Sequence, residues 1–321
     1  MTAPSSGVED HAAARIDFCV DWLREAGYEV VVGACMDGAG IVSAPASTRA
    51  AELSAMLCDP SIRVVIPPWG GDVAIDLVDK LDWDALAQAE PTWLVGYSDV
   101  STILLPITTR LGWATLHGDN LADTPYEAPA GLFGWWQIAA GLGPHHQRDS
   151  GLVAAYRPFD EDFRARQWKR VGEGRWSVHG PETVHVTGRL IGGCIETISH
   201  LAGTPFGDVA DFGRTYTDDG LIVYLEASDG DAAATCSTLH GLRLAGWFEH
   251  AHALLIGRTN APDNPKITQR EAVLDATASL QIPIVFDMEI GHVPPHLPLV
   301  NGALATVTID AGTREIVQQF R

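Results

Sequence analysis

A chain of 321 residues can build one large or two medium domains with real cores. Its apolar fraction of 46% and charged fraction of 19% are those of an ordinary globular protein, and 41 acidic against 21 basic residues give a formal net charge of −20. That charge repels phosphate backbones and anionic membranes, so general nucleic-acid binding is excluded and no membrane partner is expected. The five scattered cysteines (Cys19, Cys35, Cys58, Cys194, Cys236) include no CxxC pair. They argue against a disulfide framework or a zinc site and fit a reducing compartment. No signal-peptide pattern opens the chain and no run of about 18 apolar residues could span a bilayer, so the expected location is the cytoplasm.

The first half alternates helical and extended patterns. Ile16, Cys19, Val20 and Leu23 mark a helix over 9–26 that stops at Gly27, and Tyr28 to Val32 follows as a strand. Ser47 is expected to cap a helix over 48–57. Next come a buried strand over 63–66, a helix over 72–81 and a short strand over 92–95, which leads through Gly96-Tyr97-Ser98-Asp99 into a helix over 100–111. This rhythm predicts a parallel sheet covered on both faces, with sites at the carboxyl ends of its strands. Gly70-Gly71 and Ser98 lie at such ends.

Between about 124 and 181 the pattern breaks into a stretch rich in tryptophan and glycine, including Trp135, Trp136, Trp168, Trp176 and His145-His146. It reads as a substrate-covering loop or an interdomain connection, with Trp135 and Trp136 packing an interface. Order returns with a glycine-rich strand over 188–193 and a helix over 194–201. Strands over 221–225, 253–256 and 282–285 then alternate with helices over 231–244 and 268–280. The alternation from Ala303 to Ile309 fits an antiparallel edge. The expected fold is α/β in two domains: a parallel-sheet domain over 1–150, a connecting substrate loop over 151–184, and a second α/β domain with some antiparallel strands over 185–321.

Ser98, between a buried strand and a helix start, has the placement of a nucleophile on a tight turn; an ordinary N-cap is the alternative. A nucleophilic serine needs a base, and the base needs an orienting carboxylate. Glu226 closes an apolar strand and His292 follows another, so both fall at strand ends. The order Ser…Glu…His is also that of α/β-hydrolases, but Val100 stands where their elbow carries glycine. Each residue also has a structural reading: Glu226 as a cap of the following turn, His292 as a satisfied loop histidine. For metal chemistry, His250-x-His252 and His145-His146 lack a third ligand at a recognised spacing. Gly188-x-x-x-Gly192-Gly193 matches no nucleotide-cofactor fingerprint. No cofactor and no metal are expected.

Pro67-Pro68-Trp69-Gly70-Gly71, Leu81-Asp82-Trp83-Asp84 and Gly96-Tyr97-Ser98-Asp99, in that order, resemble the LD-carboxypeptidase and microcin C immunity family of serine peptidases. Ile191-Gly192-Gly193, Gly203-Thr204-Pro205, Leu225-Glu226, Asp231-Ala232-Ala233, Gly257-Arg258 and Gly291-His292 extend the resemblance over nearly the whole chain. It implies a two-domain hydrolase with Ser98 as nucleophile, His292 as base, Glu226 as orienter, and the backbone N–H groups of Gly71 and Asp99 as oxyanion hole. Trp69 before Gly70, and the tryptophan-bearing insertion, resemble the immunity branch. There, Trp168 or Trp176 would stack on a base, Arg166, Lys169 or Arg170 would meet a phosphate or sulfamate, and the substrate would join an amino acid to a nucleotide-like moiety. A murein carboxypeptidase and a non-catalytic sequestering binder are the alternatives. The resemblance also implies a homodimer. Two departures stand out: the strand that normally precedes Pro-Ser-Ser is absent, and Cys194 stands where relatives have asparagine.

Overall fold

A computed structural model describes residues 1–38, 40–141, 143–157 and 161–320. Two main sheets organise the chain, beside a two-stranded antiparallel ribbon of Leu152–Ala155 and Lys169–Glu173. The smaller has four strands in the order Val64–Val65, Trp93–Gly96, Thr115–His117 and Leu299–Asn301, the first three parallel and the last antiparallel. The larger has eight, in the order His145–Arg148, Arg314–Gln319, Leu304–Ile309, Val184–Cys194, Leu221–Glu226, Ala251–Gly257, Ile284–Met288 and Ser177–His179. Its four strands from Val184–Cys194 to Ile284–Met288 run parallel, flanked by antiparallel neighbours.

The mixed α/β architecture agrees with the sequence reading. Near the expected boundaries the chain exchanges strands: His145–Arg148 pairs within the larger sheet, and Leu299–Asn301 completes the smaller one. The reason is burial. Leu299 and Val300 are apolar and fully covered where they pair with Thr115–His117 at the edge of the smaller sheet.

Helix Ala13–Glu25 buries Ile16, Cys19, Val20 and Leu23, the face the sequence marked. Helix Ala46–Cys58 begins at a Pro45 N-cap, so Ser47 lies inside the first turn and is not the cap. The helix expected over 72–81 shortens to Ile75–Val78. Leu304–Ile309 alternates as expected but is not an edge: it pairs on both sides, with Val184–Cys194 and Arg314–Gln319.

Residues 28–32 form no strand, and Val31 and Val32 are half exposed. Their neighbour is the chain start instead. The Met1 ammonium donates to the Val31 carbonyl at 2.6 Å, and the Gly33 N–H donates to the Met1 carbonyl at 2.7 Å. Residues 1–7 likewise carry no strand. Among the described residues, no helix is long and apolar enough to cross a membrane.

The two sheets meet where Val184–Cys194 reaches helix Ser101–Leu111. The Cys194 N–H donates to Ser101 Oγ at 3.2 Å, and Thr197 Oγ1 donates to the Ser98 carbonyl at 3.4 Å. These contacts bring the carboxyl ends of strands from both sheets to one place.

Candidate active site

Strand Trp93–Gly96 is almost wholly buried and ends against a 3-10 turn, Ser98–Val100, that runs on into helix Ser101–Leu111. Ser98 takes φ +61°, a left-handed conformation that a non-glycine residue adopts at a cost of roughly 1–3 kcal/mol. The surroundings that hold it there include Asp99. Its buried carboxylate accepts from Ser5 Oγ at 2.6 Å, the Ala74 N–H at 2.8 Å and Thr102 Oγ1 at 3.2 Å. One side chain thus fastens the serine turn to the chain start, to the segment after Gly70-Gly71 and to the following helix.

His292 and Glu226 come from the larger sheet. His292 Nε2 lies 3.1 Å from Ser98 Oγ, and its Nδ1 lies 2.7 Å from Glu226 Oε2. In the tautomer that satisfies both contacts, Nδ1–H donates to the carboxylate and Nε2 accepts from the serine hydroxyl. The three residues named from the sequence are therefore joined in one hydrogen-bonded chain.

Gly291 makes this possible. A Cβ at that position would fall 2.3 Å from Glu226 Oε2, and its φ of +88° disfavours any other residue. The loop is anchored by buried Glu289, whose carboxylate takes Ser150 N–H and Oγ, the Arg258 guanidinium and the Trp176 indole N–H.

Burial alone would push the Glu226 carboxyl up. The positive charge on His292 and its hydrogen bond, with the nearby His117, outweigh it and hold the group well below the usual carboxylate range. Burial would likewise lower His292, but the adjacent Glu226 carboxylate wins and raises its pKa above the ordinary histidine value. His117 faces the other Glu226 oxygen at 3.8 Å, and there burial dominates and lowers the imidazole pKa.

The remaining sequence-named residues divide. Gly70 sits over the nucleophile: a Cβ there would lie 2.8 Å from Ser98 Cβ and 3.0 Å from both Ser98 Oγ and the Asp99 nitrogen. Gly71 packs on Ser5 and Ser6 instead, and Trp69 lies half-buried against the apolar cluster beneath the smaller sheet. Gly70→Ala is accordingly expected to slow labelling of Ser98 by a fluorophosphonate about 100-fold, as small misplacements of a reacting group do. Time-resolved intact-mass measurement checks it.

Trp168 is half-buried and stacks on Tyr126, with ring centroids 4.0 Å apart at 11°. Its edge meets Tyr156 and His296, which lie beside Tyr97. Trp176 is a correction: it is 1% exposed, belongs to the core of the larger sheet and spends its indole N–H on Glu289, so it has no face for a ligand. Arg166 lies exposed in an ion pair with Glu127 at 3.3 Å. The Cys194 thiol donates to Glu196 Oε2 at 3.2 Å, and burial first, then the Glu226 and Glu196 charges, hold its pKa well above the usual thiol value.

Sequence reasoning missed a second network beside the serine. Buried His296 bonds Asp119 through Nδ1 and Tyr156 through Nε2, the latter at 2.9 Å. Tyr156 in turn meets the Tyr97 hydroxyl at 2.9 Å, and Tyr97 reaches Asp123 at 3.2 Å. Burial raises Asp123 to about 6. The signal was present in Gly118-Asp119-Asn120 and Pro295-His296, polar residues beside strand ends, but nothing in their spacing pairs them. A cavity of about 500 Å³ opens behind Glu226, lined by Leu225, Phe286, Arg258, Arg270 and Val293 among others; Ser98 and Trp168 are not among its lining residues.

Comparison with known proteins places the chain in a family. Residues 1–118 match the LD-carboxypeptidase N-terminal domain and residues 187–307 the LD-carboxypeptidase C-terminal domain. A Vibrio cholerae protein named provisionally as a carboxypeptidase is 24% identical, covering 99% of this chain and 94% of its own. The microcin C7 self-immunity protein MccF of Escherichia coli is 23% identical, covering 94% of this chain and 87% of its own. The structure of MccF in complex with aspartyl sulfamoyl adenosine superposes with a TM-score of 0.82 at 21% identity, covering 100% of this chain and 95% of the other. With both family domains matched in order on either side of the insertion, the chain belongs to the MccF-like LD-carboxypeptidase family of serine peptidases.

Proposed function

We propose that this protein is a serine hydrolase of the microcin C immunity type, cleaving the amide-like bond between an amino acid and a nucleotide-like moiety. The observation that carries the hydrolase reading is the hydrogen-bonded chain Ser98–His292–Glu226, drawn from strand ends of two sheets. In this reading Ser98 Oγ attacks the acyl carbon while His292 Nε2 takes its proton. The carbonyl oxygen becomes an oxyanion beside the Asp99 amide, which lies in the first turn of its 3-10 helix and so has no acceptor within that helix. The second donor in this reading is the amide of Gly71, the residue that follows the Gly70 seated over Ser98. His292 returns the proton to the leaving nitrogen, and Glu226 holds the imidazole in the required tautomer and stabilises its charge. Water, activated by His292, then releases the amino acid from the acyl-enzyme.

The nucleotide-like part of the substrate is read from aromatic side chains near the nucleophile. Trp168, Tyr126 and Tyr156 form an aromatic group that reaches His296 and Tyr97 beside the nucleophile. Stacking of a base on an aromatic side chain contributes about 1–3 kcal/mol. Trp168→Ala is therefore expected to raise KM for an aminoacyl-sulfamoyl adenosine roughly ten- to hundredfold with kcat little changed. Steady-state kinetics check this, with a murein tetrapeptide as control. Arg166, Lys169 and Arg170 are the cations nearest in sequence to that tryptophan for a phosphate or sulfamate.

A second reading, a murein LD-carboxypeptidase releasing terminal D-alanine, is favoured by the matched family domains and uses the same three residues. Release of D-alanine from the tetrapeptide, with no cleavage of the adenosines, would select it.

A further inference from the structure

Helix Ala232–Leu244 follows the strand that ends at Glu226, and helix Gln269–Thr277 packs beside it. Cys236 and His240 stand four residues apart, hence on one face of the first helix. Asp275 of the second helix reaches both: its Oδ2 lies 3.2 Å from His240 Nε2 and 3.6 Å from Cys236 Sγ. One ligand atom from each of the three residues falls within 4.8 Å of the others.

A tetrahedral zinc ion, with Zn–S of about 2.3 Å and Zn–N and Zn–O of about 2.0 Å, separates S from O by about 3.5 Å and N from O by about 3.3 Å. The two edges on Asp275 match those separations to within about 0.1 Å, and the third, between Cys236 and His240, lies within 4.8 Å, so the three ligand atoms stand close enough for one ion to draw them together. We propose that Cys236, His240 and Asp275 form a site for a zinc-class divalent transition metal that clamps the two helices and shares no residue with Ser98–His292–Glu226.

The donor set decides the metal class. A thiolate and an imidazole suit zinc or cobalt, whereas magnesium and calcium take oxygen ligands. The His240 and Asp275 side chains are 38% and 64% exposed, which leaves an entry path and a fourth position for water. Without metal, the thiol and the imidazole both hydrogen-bond to Asp275 Oδ2. Metal binding replaces both hydrogen bonds: the thiol proton goes to solvent, and the imidazole proton moves from Nε2 to Nδ1, freeing Nε2 as the ligand. The Cys236-x-x-x-His240 spacing escaped the sequence reading because the third ligand lies 35 residues further along, on another helix.

The test is titration of the chelator-treated full chain with Co²⁺. The site predicts a near-ultraviolet thiolate-to-cobalt charge-transfer band at one equivalent, four-coordinate visible bands, and displacement by one equivalent of Zn²⁺. Cys236→Ser should lose the charge-transfer band, and Asp275→Asn should weaken Co²⁺ binding at least tenfold. Zn²⁺ should raise Tm in wild type and leave it unchanged in Cys236→Ser. Cys194, Glu226 and His292 also lie within 4.8 Å of one another, so a second outcome is open to the same titration. A band that survives Cys236→Ser, with fluorophosphonate labelling of Ser98 blocked by metal, would overturn the proposal. So would the absence of any charge-transfer band in wild type.

Discussion

Ser98→Ala should lower kcat by about 10⁴- to 10⁶-fold, because removing the nucleophile of a coupled triad costs nearly as much as removing all of it. The fold should survive. The Ser98 side chain gives up one hydrogen bond, to His292, while the turn is held by Asp99 through Ser5, Ala74 and Thr102. Unchanged circular dichroism and Tm, beside lost turnover, would place the effect in chemistry. The same variant separates enzyme from sequestering binder. If cells expressing Ser98→Ala at wild-type levels survive an aminoacyl-nucleotide toxin as well as wild type, hydrolysis is not how protection works.

Glu226→Gln is expected to lower kcat about 10³- to 10⁴-fold with little change in shape, since the amide replaces one carboxylate oxygen. The pH profile carries the sharper information. Burial alone would lower His292, and the Glu226 carboxylate is what raises it above the ordinary histidine value. Activity needs neutral His292, so in wild type it is lost as pH falls through that raised pKa. Removing the negative charge lets burial prevail and lowers the His292 pKa, so the acid limb of kcat/KM should move to lower pH. A Glu226→Gln enzyme within tenfold of wild type, with its acid limb unmoved, would remove Glu226 from the mechanism.

The sequence was most legible where periodicity and position coincide. The strand before Ser98, the helix after it and the all-buried strand ending at Glu226 were found because apolar runs of such length have few other uses. Each of the three site residues was marked by a polar side chain at the end of such a run. Short strands escaped: Thr115–His117 and Leu299–Asn301 are three residues each, too few to show alternation, and their pairing joins segments far apart in the chain. Tyr28 to Val32 misled because a β-rich composition says nothing about whether a partner strand exists. Trp176 misled for a related reason. A tryptophan in an irregular stretch reads as a ligand platform, yet its burial and its bond to Glu289 depend on a carboxylate 113 residues away.

The most direct measurement is hydrolysis of a panel of aminoacyl-sulfamoyl adenosines beside a murein tetrapeptide, by wild type and Ser98→Ala. Serine-dependent release of the amino acid from the adenosines is the expected result. Cleavage of the tetrapeptide alone, or cleavage of the adenosines that persists in Ser98→Ala, would contradict it.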